Sequence, residues 1–129
     1  MTQKNIETMD RIVEELLKGK KLSEVLAHTY TKRHVMIPFN TAMFNVSIKD
    51  LHMSTQPYNA LMRSKVFTIN NALDYNDRHG LKTIRNFGVS SFVELMEAIL
   101  DYSWENMHPQ EREVFLIDVV ERNCENLKA

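Results

Sequence analysis

The order of apolar and polar positions predicts a chain built from short amphipathic helices. Residues 5–18 repeat apolar side chains at intervals of three and four, which lines one face of a helix. Lys18 falls in the last turn, where the dipole favours a cation, and Gly19 can end the helix. A second helix over about 22–33 completes a predicted helical hairpin. The apolar positions are Ile6, Met9, Ile12, Val13, Leu16 and Leu17 in the first helix, and Leu22, Val25, Leu26 and Tyr30 in the second.

The stretch from 34 to 50 is predicted to be a connector that packs against the core. Residues 35–39 are apolar but include Pro38, which biases the preceding residue away from helix. The apolar residues that follow suit either a short helical turn or an extended segment. They are Ala42, Met43, Phe44 and Val46.

Helical patterns return after the connector. Ser54 or the next residue can cap a helix that contains residues 58–62. Three short helices are predicted over about 69–75, 77–84 and 91–103. Asn76 is expected to be the N-cap of the second. Ser91 and Glu94 have the spacing of a capping box, so Ser91 is expected to cap the third.

The last predicted helix runs from Pro109 to about Leu127 and has one apolar and one acidic face. We expect Cys124 to be buried on the apolar face. Nearby carboxylates make its thiol a poor nucleophile. The apolar side is Phe115, Leu116, Val119, Val120, Cys124 and Leu127, and the acidic side is Glu111, Glu113, Asp118, Glu121 and Glu125.

Composition supports an all-α fold and restricts the cellular setting. The 129 residues are 43% hydrophobic and include only 3 Gly and 3 Pro, too few for a fold rich in β-turns. No run approaches the roughly 20 apolar residues of a membrane span, and the N-terminus lacks the apolar region of a signal peptide. One cysteine cannot form an internal disulfide. A cytoplasmic protein without membrane contact is therefore expected.

The net charge of −1 hides a modest asymmetry along the chain. Residues 1–100 hold 13 Lys and Arg against 10 Asp and Glu, a net of +3, whereas residues 101–129 hold 3 against 7, a net of −4. Phosphate-binding domains usually have a stronger basic bias. The charge count permits nucleic-acid binding without predicting it.

Known catalytic and metal-binding patterns are missing from the sequence. The five histidines form no H-x-x-x-H pair and none lies at ligand spacing from the cysteine. No P-loop or nucleophile elbow occurs. We therefore expect no enzyme activity, no catalytic residues, no metal and no cofactor. Phe92, Tyr102 and Trp104 are expected in the core, with Tyr102 or Trp104 as an alternative anchor for a partner.

Residues 81–94 (LKTIRNFGVSSFVE) have the layout of a helix-hairpin-helix. A helix ends at Ile84, residues 85–88 make a tight turn, and the next helix follows. Gly88 is expected to turn the backbone with a positive φ. The N–H groups of the turn and of the next helix would then form a cup suited to a phosphate. The alternative for Gly88 is an ordinary turn between helices.

At these residues the chain resembles the C-terminal domain of the bacterial RNA polymerase alpha subunit. The resemblance covers about 50–100 and rests on two blocks, residues 58–63 (YNALMR) and residues 81–94. It implies a compact helical domain that binds the minor groove of A·T-rich promoter DNA and docks with transcription activators. The family's DNA-contacting asparagine falls on Asn59, its hairpin glycine on Gly88, its capping serine on Ser91 and its glutamate on Glu94.

At other positions where the family has a basic residue, this chain has an uncharged one. The arginine that the family inserts into the minor groove falls on Gln56, and the lysine before the capping serine falls on Ser90. A further basic residue falls on Val89. An arginine in a narrow groove supplies charge and shape readout, so weak DNA binding or none is expected. The cations that could partly compensate are Arg63, Lys65, Arg78, Lys82 and Arg85.

Together these observations predict an N-terminal helical hairpin and connector (1–49), an alpha-C-terminal-like domain (50–103) and an acidic C-terminal helix packed on that domain (104–129). One predicted function is a transcription-associated, non-catalytic module that binds DNA or nucleoprotein weakly through the hairpin. The alternative is a protein adaptor or decoy that engages transcription factors or polymerase components without DNA, and a structural scaffold is a third option. The predicted nucleic-acid-binding residues are Gln56, Asn59, Arg85, Gly88, Ser90 and Ser91.

Overall fold

The structure is a computed structural model, and it describes residues 1–31 and 43–128. Within this part of the chain there are six α-helices and no strand, so the all-α prediction is confirmed. The helices are α1 (Gln3–Leu17), α2 (Leu22–Thr29), α3 (Thr55–Arg63), α4 (Ile69–Arg78), α5 (Val89–Glu105) and α6 (Pro109–Arg122). Short 3₁₀ turns occupy Ile48–Leu51, Leu81–Thr83 and Cys124–Asn126.

The chain divides into two compact units. The first unit comprises residues 1–38 and 103–129, and the second comprises residues 39–102. The N-terminal hairpin and the C-terminal helix thus belong to one unit, and residues 39–49 belong to the other. The predicted packing of the C-terminal helix on the middle domain stays a prediction.

The first unit is built on the hairpin of α1 and α2. Gly19 ends α1 with a φ of +90°, as the sequence indicated, and its N–H donates to Leu16 O over 3.0 Å. α6 packs against α1. The chain end closes the unit through a bridge between Tyr30 and Leu127. Among the described residues of this unit, the buried apolar side chains are Ile12, Leu22, Val25, Leu26, Tyr30, Phe115, Leu116, Val119 and Val120.

The prediction for Cys124 is wrong. α6 ends at Arg122, and the buried Asn123 caps it with a side-chain bond of 2.8 Å from Nδ2 to Val119 O. The chain then enters a 3₁₀ turn, so Cys124 leaves the helical register and is exposed. The sequence pattern continued the helix past its true end at Arg122, and it therefore placed the Cys124 thiol on the buried face instead of at the surface.

The second unit packs α3, α4 and most of α5 around one core. Its fully buried side chains include Leu61, Ile69, Leu81, Phe87 and Leu95. The described part of the connector contributes too, since Met43 and Val46 pack against this core as predicted. The connector residues from 34 to 42 lie outside the described residues.

The helix boundary predicted at Asn76 is wrong, because α4 covers Ile69–Arg78 and only a 3₁₀ turn, at Leu81–Thr83, remains of the second predicted helix. α4 runs through this position to Arg78, so Asn76 is not an N-cap. Its Oδ1 instead accepts a bond of 3.1 Å from Leu81 N, beyond the helix end. Gly80, with a φ of +79°, makes the sharp change of chain direction between the end of α4 and Leu81. The Asn76 side chain therefore binds the chain that follows the C-terminal end of a helix. Local sequence alone does not distinguish this role from that of an N-cap at the start of a helix.

Candidate nucleic-acid interface

The hairpin before α5 is set by a buried anchor and a left-handed residue. Phe87 is 1% exposed, and its N–H donates to Ile84 O over 3.0 Å, which closes the turn. Asn86 has a φ of +64°, a conformation that asparagine tolerates better than most residues. Arg85 and Asn86 stay exposed. The turn therefore holds a cation at the surface while Phe87 holds the turn to the core.

The predicted positive φ of Gly88 is wrong, because Asn86 performs the turn. Gly88 directly precedes α5, and its carbonyl accepts a bond of 3.0 Å from Phe92 N. A Cβ added at Gly88 would meet no heavy atom within 4 Å. The glycine thus leaves open space at the start of α5, where another molecule's backbone can approach closely.

The first turn of α5 lies at the surface of the second unit. Val89 and Ser90 are exposed and Ser91 is half-buried. The leading N–H groups of a helix have no acceptors within the helix, and its dipole is positive at this end. The Lys82 ammonium lies 5.0 Å from the centre of the Phe92 ring, which brings a cation to the same turn.

The predicted capping box of Ser91 and Glu94 is wrong. α5 begins at Val89, so Ser91 is already the third helical residue. The Glu94 carboxylate instead accepts from Ser54 N over 2.7 Å and from Ser54 Oγ over 2.7 and 2.9 Å. These bonds cross 40 positions of sequence, so no local pattern could have indicated them.

The Ser54–Glu94 bonds bring the N-terminal end of α3 beside α5. Ser54 directly precedes α3, and Gln56 and Asn59 are exposed on this helix. Pro57 and Ala60, in the same turns, are buried and fix the helix to the core. The structure therefore assembles one surface from the exposed part of α3 and the start of α5.

All six predicted site residues lie at the surface of the second unit, where five are exposed and Ser91 is half-buried. The sequence missed the roles of Ser54 and Asn86. Asn86 could have been found, since asparagine next to glycine is a recognised turn signal, whereas Ser54 left no such trace.

The described residues hold neither a cluster of metal ligands nor a membrane span. No group of three or more His, Cys, Asp or Glu side chains in this part of the chain could hold a metal ion. No helix in this part of the chain has the length and apolar character to cross a membrane.

Comparison with known proteins bears on the same region. The family model for the C-terminal domain of the bacterial RNA polymerase alpha chain matches residues 38–101. The DNA-directed RNA polymerase subunit alpha of Gloeobacter violaceus is 38% identical over 56 residues, which are 43% of this chain and 18% of the relative. The matched stretch thus spans under a fifth of the relative's length. No solved structure matches the chain significantly.

The family match includes all six predicted site residues and nearly all of the second unit. The matched family is a non-catalytic part of RNA polymerase and is related to transcription. Over residues 38–101, this chain carries a domain of the bacterial RNA polymerase alpha C-terminal type.

Proposed function

We propose that the second unit is a non-catalytic, transcription-associated module that binds duplex DNA weakly. The observation that carries the proposal is the open start of α5 at Gly88, beside the exposed part of α3. A DNA phosphate at this position would meet the positive end of the helix. Asn59 and Gln56 would supply hydrogen bonds to the sugar, the phosphate or a base edge.

The charge at this surface argues for low affinity. Gln56 occupies the position of the family arginine and brings no counterion release when it contacts DNA. Arg85 and Lys82 supply the positive charge instead. We therefore expect micromolar affinity at low salt and a shallow dependence on salt, because few phosphates are neutralised.

The test is fluorescence anisotropy of a labelled A·T-rich duplex at about 50 and about 200 mM salt. Gly88→Ala is the sharpest variant, because the added methyl touches nothing in the protein yet occupies the space that a phosphate would use. We expect it to weaken binding about tenfold while the melting temperature changes little, and Asn59→Ala and Arg85→Ala to weaken binding about threefold to tenfold.

Arg78→Ala is the matched control for Arg85→Ala. Arg78 is also an exposed arginine of the second unit, but its guanidinium pairs with Asp74 on α4 at 3.0 Å. The sequence placed Arg78 among the cations that could compensate for the lost family charges, but because Asp74 already pairs with it, its removal is expected to change DNA binding much less than that of Arg85. No binding at either salt, or equal losses for Arg78→Ala and Arg85→Ala, would rule out the DNA-binding module.

A protein adaptor is the second candidate, and Val89 favours it. Val89 is 46% exposed at a position that is basic in the family, so an apolar contact replaces a charge on the same surface. Such an adaptor would keep a polymerase or transcription-factor partner after nuclease treatment. Val89→Lys separates the two functions, since it should strengthen DNA binding but weaken a protein contact.

Gln56→Arg tests whether the DNA-binding geometry of the family persists in this chain. If it does, the restored arginine should create binding that prefers A·T-rich duplexes.

A further inference from the structure

A concave surface in the first unit is lined by basic side chains. Its volume is about 440 Å³, which is within the usual range of small-molecule sites. We call this surface the basic pocket. Its lining comes from α1, the turn after α1, α2 and the chain end, so residues that are far apart in the sequence meet there. Its charged and titratable side chains, among the described residues, are Arg11, Glu15, Lys20, His28 and Lys128.

The charges of the basic pocket do not cancel. Glu15 and Lys20 form an ion pair, and Lys18 lies 3.1 Å from the same carboxylate. Neither Arg11 nor Lys128 forms an ion pair with any described residue. When Glu15 and Lys20 are counted as a neutral pair and the histidine as neutral, the described lining keeps a formal charge of +2. An anion that enters the pocket therefore meets two cations that have no counterion in this part of the chain.

The chain end holds Lys128 against the last turn of α2. Lys128 N donates to Thr29 O over 3.1 Å, next to the bridge between Tyr30 and Leu127. The Lys128 ammonium donates to Ala27 O over 3.2 Å. The carbonyl end of a helix repels anions, and a cation placed there offsets this effect. The ammonium keeps further N–H donors for a ligand, because a lysine has three.

We propose that the basic pocket binds the phosphate group of a small phosphorylated molecule. A phosphate monoester carries a charge of about −1.5 to −2 at pH 7, which matches the uncompensated charge of the pocket. Its oxygens accept charge-assisted hydrogen bonds, and the planar guanidinium of Arg11 suits two of them at once. A carboxylate or a phosphodiester carries one charge and would leave part of the pocket uncompensated. His28, which is exposed, adds a ring nitrogen to the same lining.

The first test is a titration of the ¹⁵N-labelled protein with inorganic phosphate at about pH 7.5, followed by NMR. Sodium chloride at the same ionic strength is the control for screening. We expect saturable shifts of the amide signals around Arg11, Lys20 and Thr29, with a Kd below about 1 mM. Because none of these residues belongs to the proposed DNA surface, the positions of the shifts separate the two sites.

Arg11→Gln should raise the Kd for phosphate about tenfold, because it removes a cation and its charge-assisted hydrogen bonds. Lys4→Gln is the matched control. Lys4 is also an exposed cation of α1, but it does not line the pocket, so its replacement should change the Kd less than about twofold. Both side chains are exposed, so the fold should survive, and circular dichroism melting checks this.

Glu15→Gln should have the opposite effect. Glu15 is the one carboxylate among the described lining residues, so its removal raises the charge of the pocket and should lower the Kd about threefold. Glu14→Gln, at the exposed neighbouring position outside the lining, is the control and should have a smaller effect. A gain in affinity cannot result from partial unfolding of the variant.

The source of the phosphate group is tested with two further probes. Adenosine 5′-monophosphate should bind at least as tightly as inorganic phosphate, and adenosine, which lacks the phosphate, should not bind. A 5′-phosphorylated oligonucleotide that binds much more tightly than the mononucleotide would assign the pocket to nucleic acid and overturn the small-molecule assignment.

Three other results would overturn the proposal. One is the absence of saturable shifts up to about 10 mM phosphate. Another is an equal loss of affinity for Arg11→Gln and Lys4→Gln. The last is a set of shifts confined to residues 88–91, because the phosphate would then bind at the start of α5. That last result would support the DNA-binding module, whereas the first two leave it untouched.

Discussion

The two compact units use their apolar residues differently. In the second unit most apolar positions of α3, α4 and α5 converge on one core, with Leu61, Ile69 and Leu95 fully buried, although Val89 is exposed. In the first unit part of the apolar stripe of α1 stays outside, and Leu17 is the clearest case. The second unit therefore has polar groups and open backbone available for binding, whereas the first unit has apolar surface. Similar amphipathic patterns can thus lead to different kinds of surface.

The largest expected effect compares two leucine truncations, one in each unit. Leu61→Ala empties a fully buried site and should lower the free energy of unfolding by about 3 kcal/mol. Leu17→Ala should change it by less than about 0.5 kcal/mol, because that side chain is already largely in water. Urea unfolding followed by circular dichroism at low protein concentration measures both. Equal losses would refute the contrast between the units.

The next effect concerns the bonds that join α3 to α5 in the second unit. Glu94→Ala removes the acceptor of the Ser54 N–H and hydroxyl and should cost about 1.5 kcal/mol. Glu94→Gln keeps a carbonyl oxygen as acceptor and should cost less. Thermal melting measures the loss, and a double-mutant cycle with Ser54→Ala isolates the interaction. A zero coupling energy would show that the two helix ends are held by other contacts.

A buried hydroxyl in the first unit should be a source of instability. Tyr30 is 1% exposed, and its hydroxyl has no hydrogen-bond partner among the described residues. Tyr30→Phe should therefore raise the free energy of unfolding by about 1 kcal/mol. A loss of stability in urea unfolding would mean that the hydroxyl is satisfied.

The same tyrosine predicts a response to alkali. Burial first, and then the nearby Cys124 thiol, raises the pKa of Tyr30 from 10.0 to about 12, although Arg11 opposes the shift. A raised pKa means that the folded state resists losing the proton. Stability should therefore fall as the pH rises from 10.0 toward 12. The Tyr30→Phe variant has no phenol to ionise, so its stability should fall less over this pH range.

The smallest expected effect lies on α5. Burial first, and then Asp101 and Glu94, raises the pKa of Glu97 above its usual value of 4.5. Its stabilising contribution is complete below that value and is lost as the pH rises through the higher pKa of the folded state. Glu97→Gln should therefore be more stable at neutral pH, by about 0.3 kcal/mol, and the gain should vanish in acid. Glu121→Gln, at an exposed position of α6, is the control for charge removal alone, and thermal melts at pH 4 and 7 compare the two variants.

Much of the fold followed from local patterns. The hairpin of α1 and α2, the start of α3 after Ser54 and the start of α6 at Pro109 are confirmed, since each depends on neighbours along the chain. Errors arose where one residue type serves several roles. Asn76, Ser91 and Glu94 all fit helix N-caps by spacing, yet each has another position or partner in the structure.

The candidate site was only partly predictable for the same reason. The resemblance located α3 and the hairpin, and the family match includes both. It could not tell that Asn86 rather than Gly88 adopts the positive φ, because both residues suit such a turn. The roles of Gln56, Asn59, Arg85, Gly88, Ser90 and Ser91 in binding stay predictions for the experiments above.

The sequence by itself determined the all-α class, the starts of α2, α3, α4 and α6 and the alpha-C-terminal-like segment, because helix periodicity, capping and turn chemistry act over a few residues. Only the tertiary structure decided which apolar side chains are buried and which polar groups meet. Leu17 and Ile12 belong to one stripe, yet packing buries one and exposes the other. Ser54 and Glu94 meet because the core brings two helix ends together, and no local pattern records a contact made through packing.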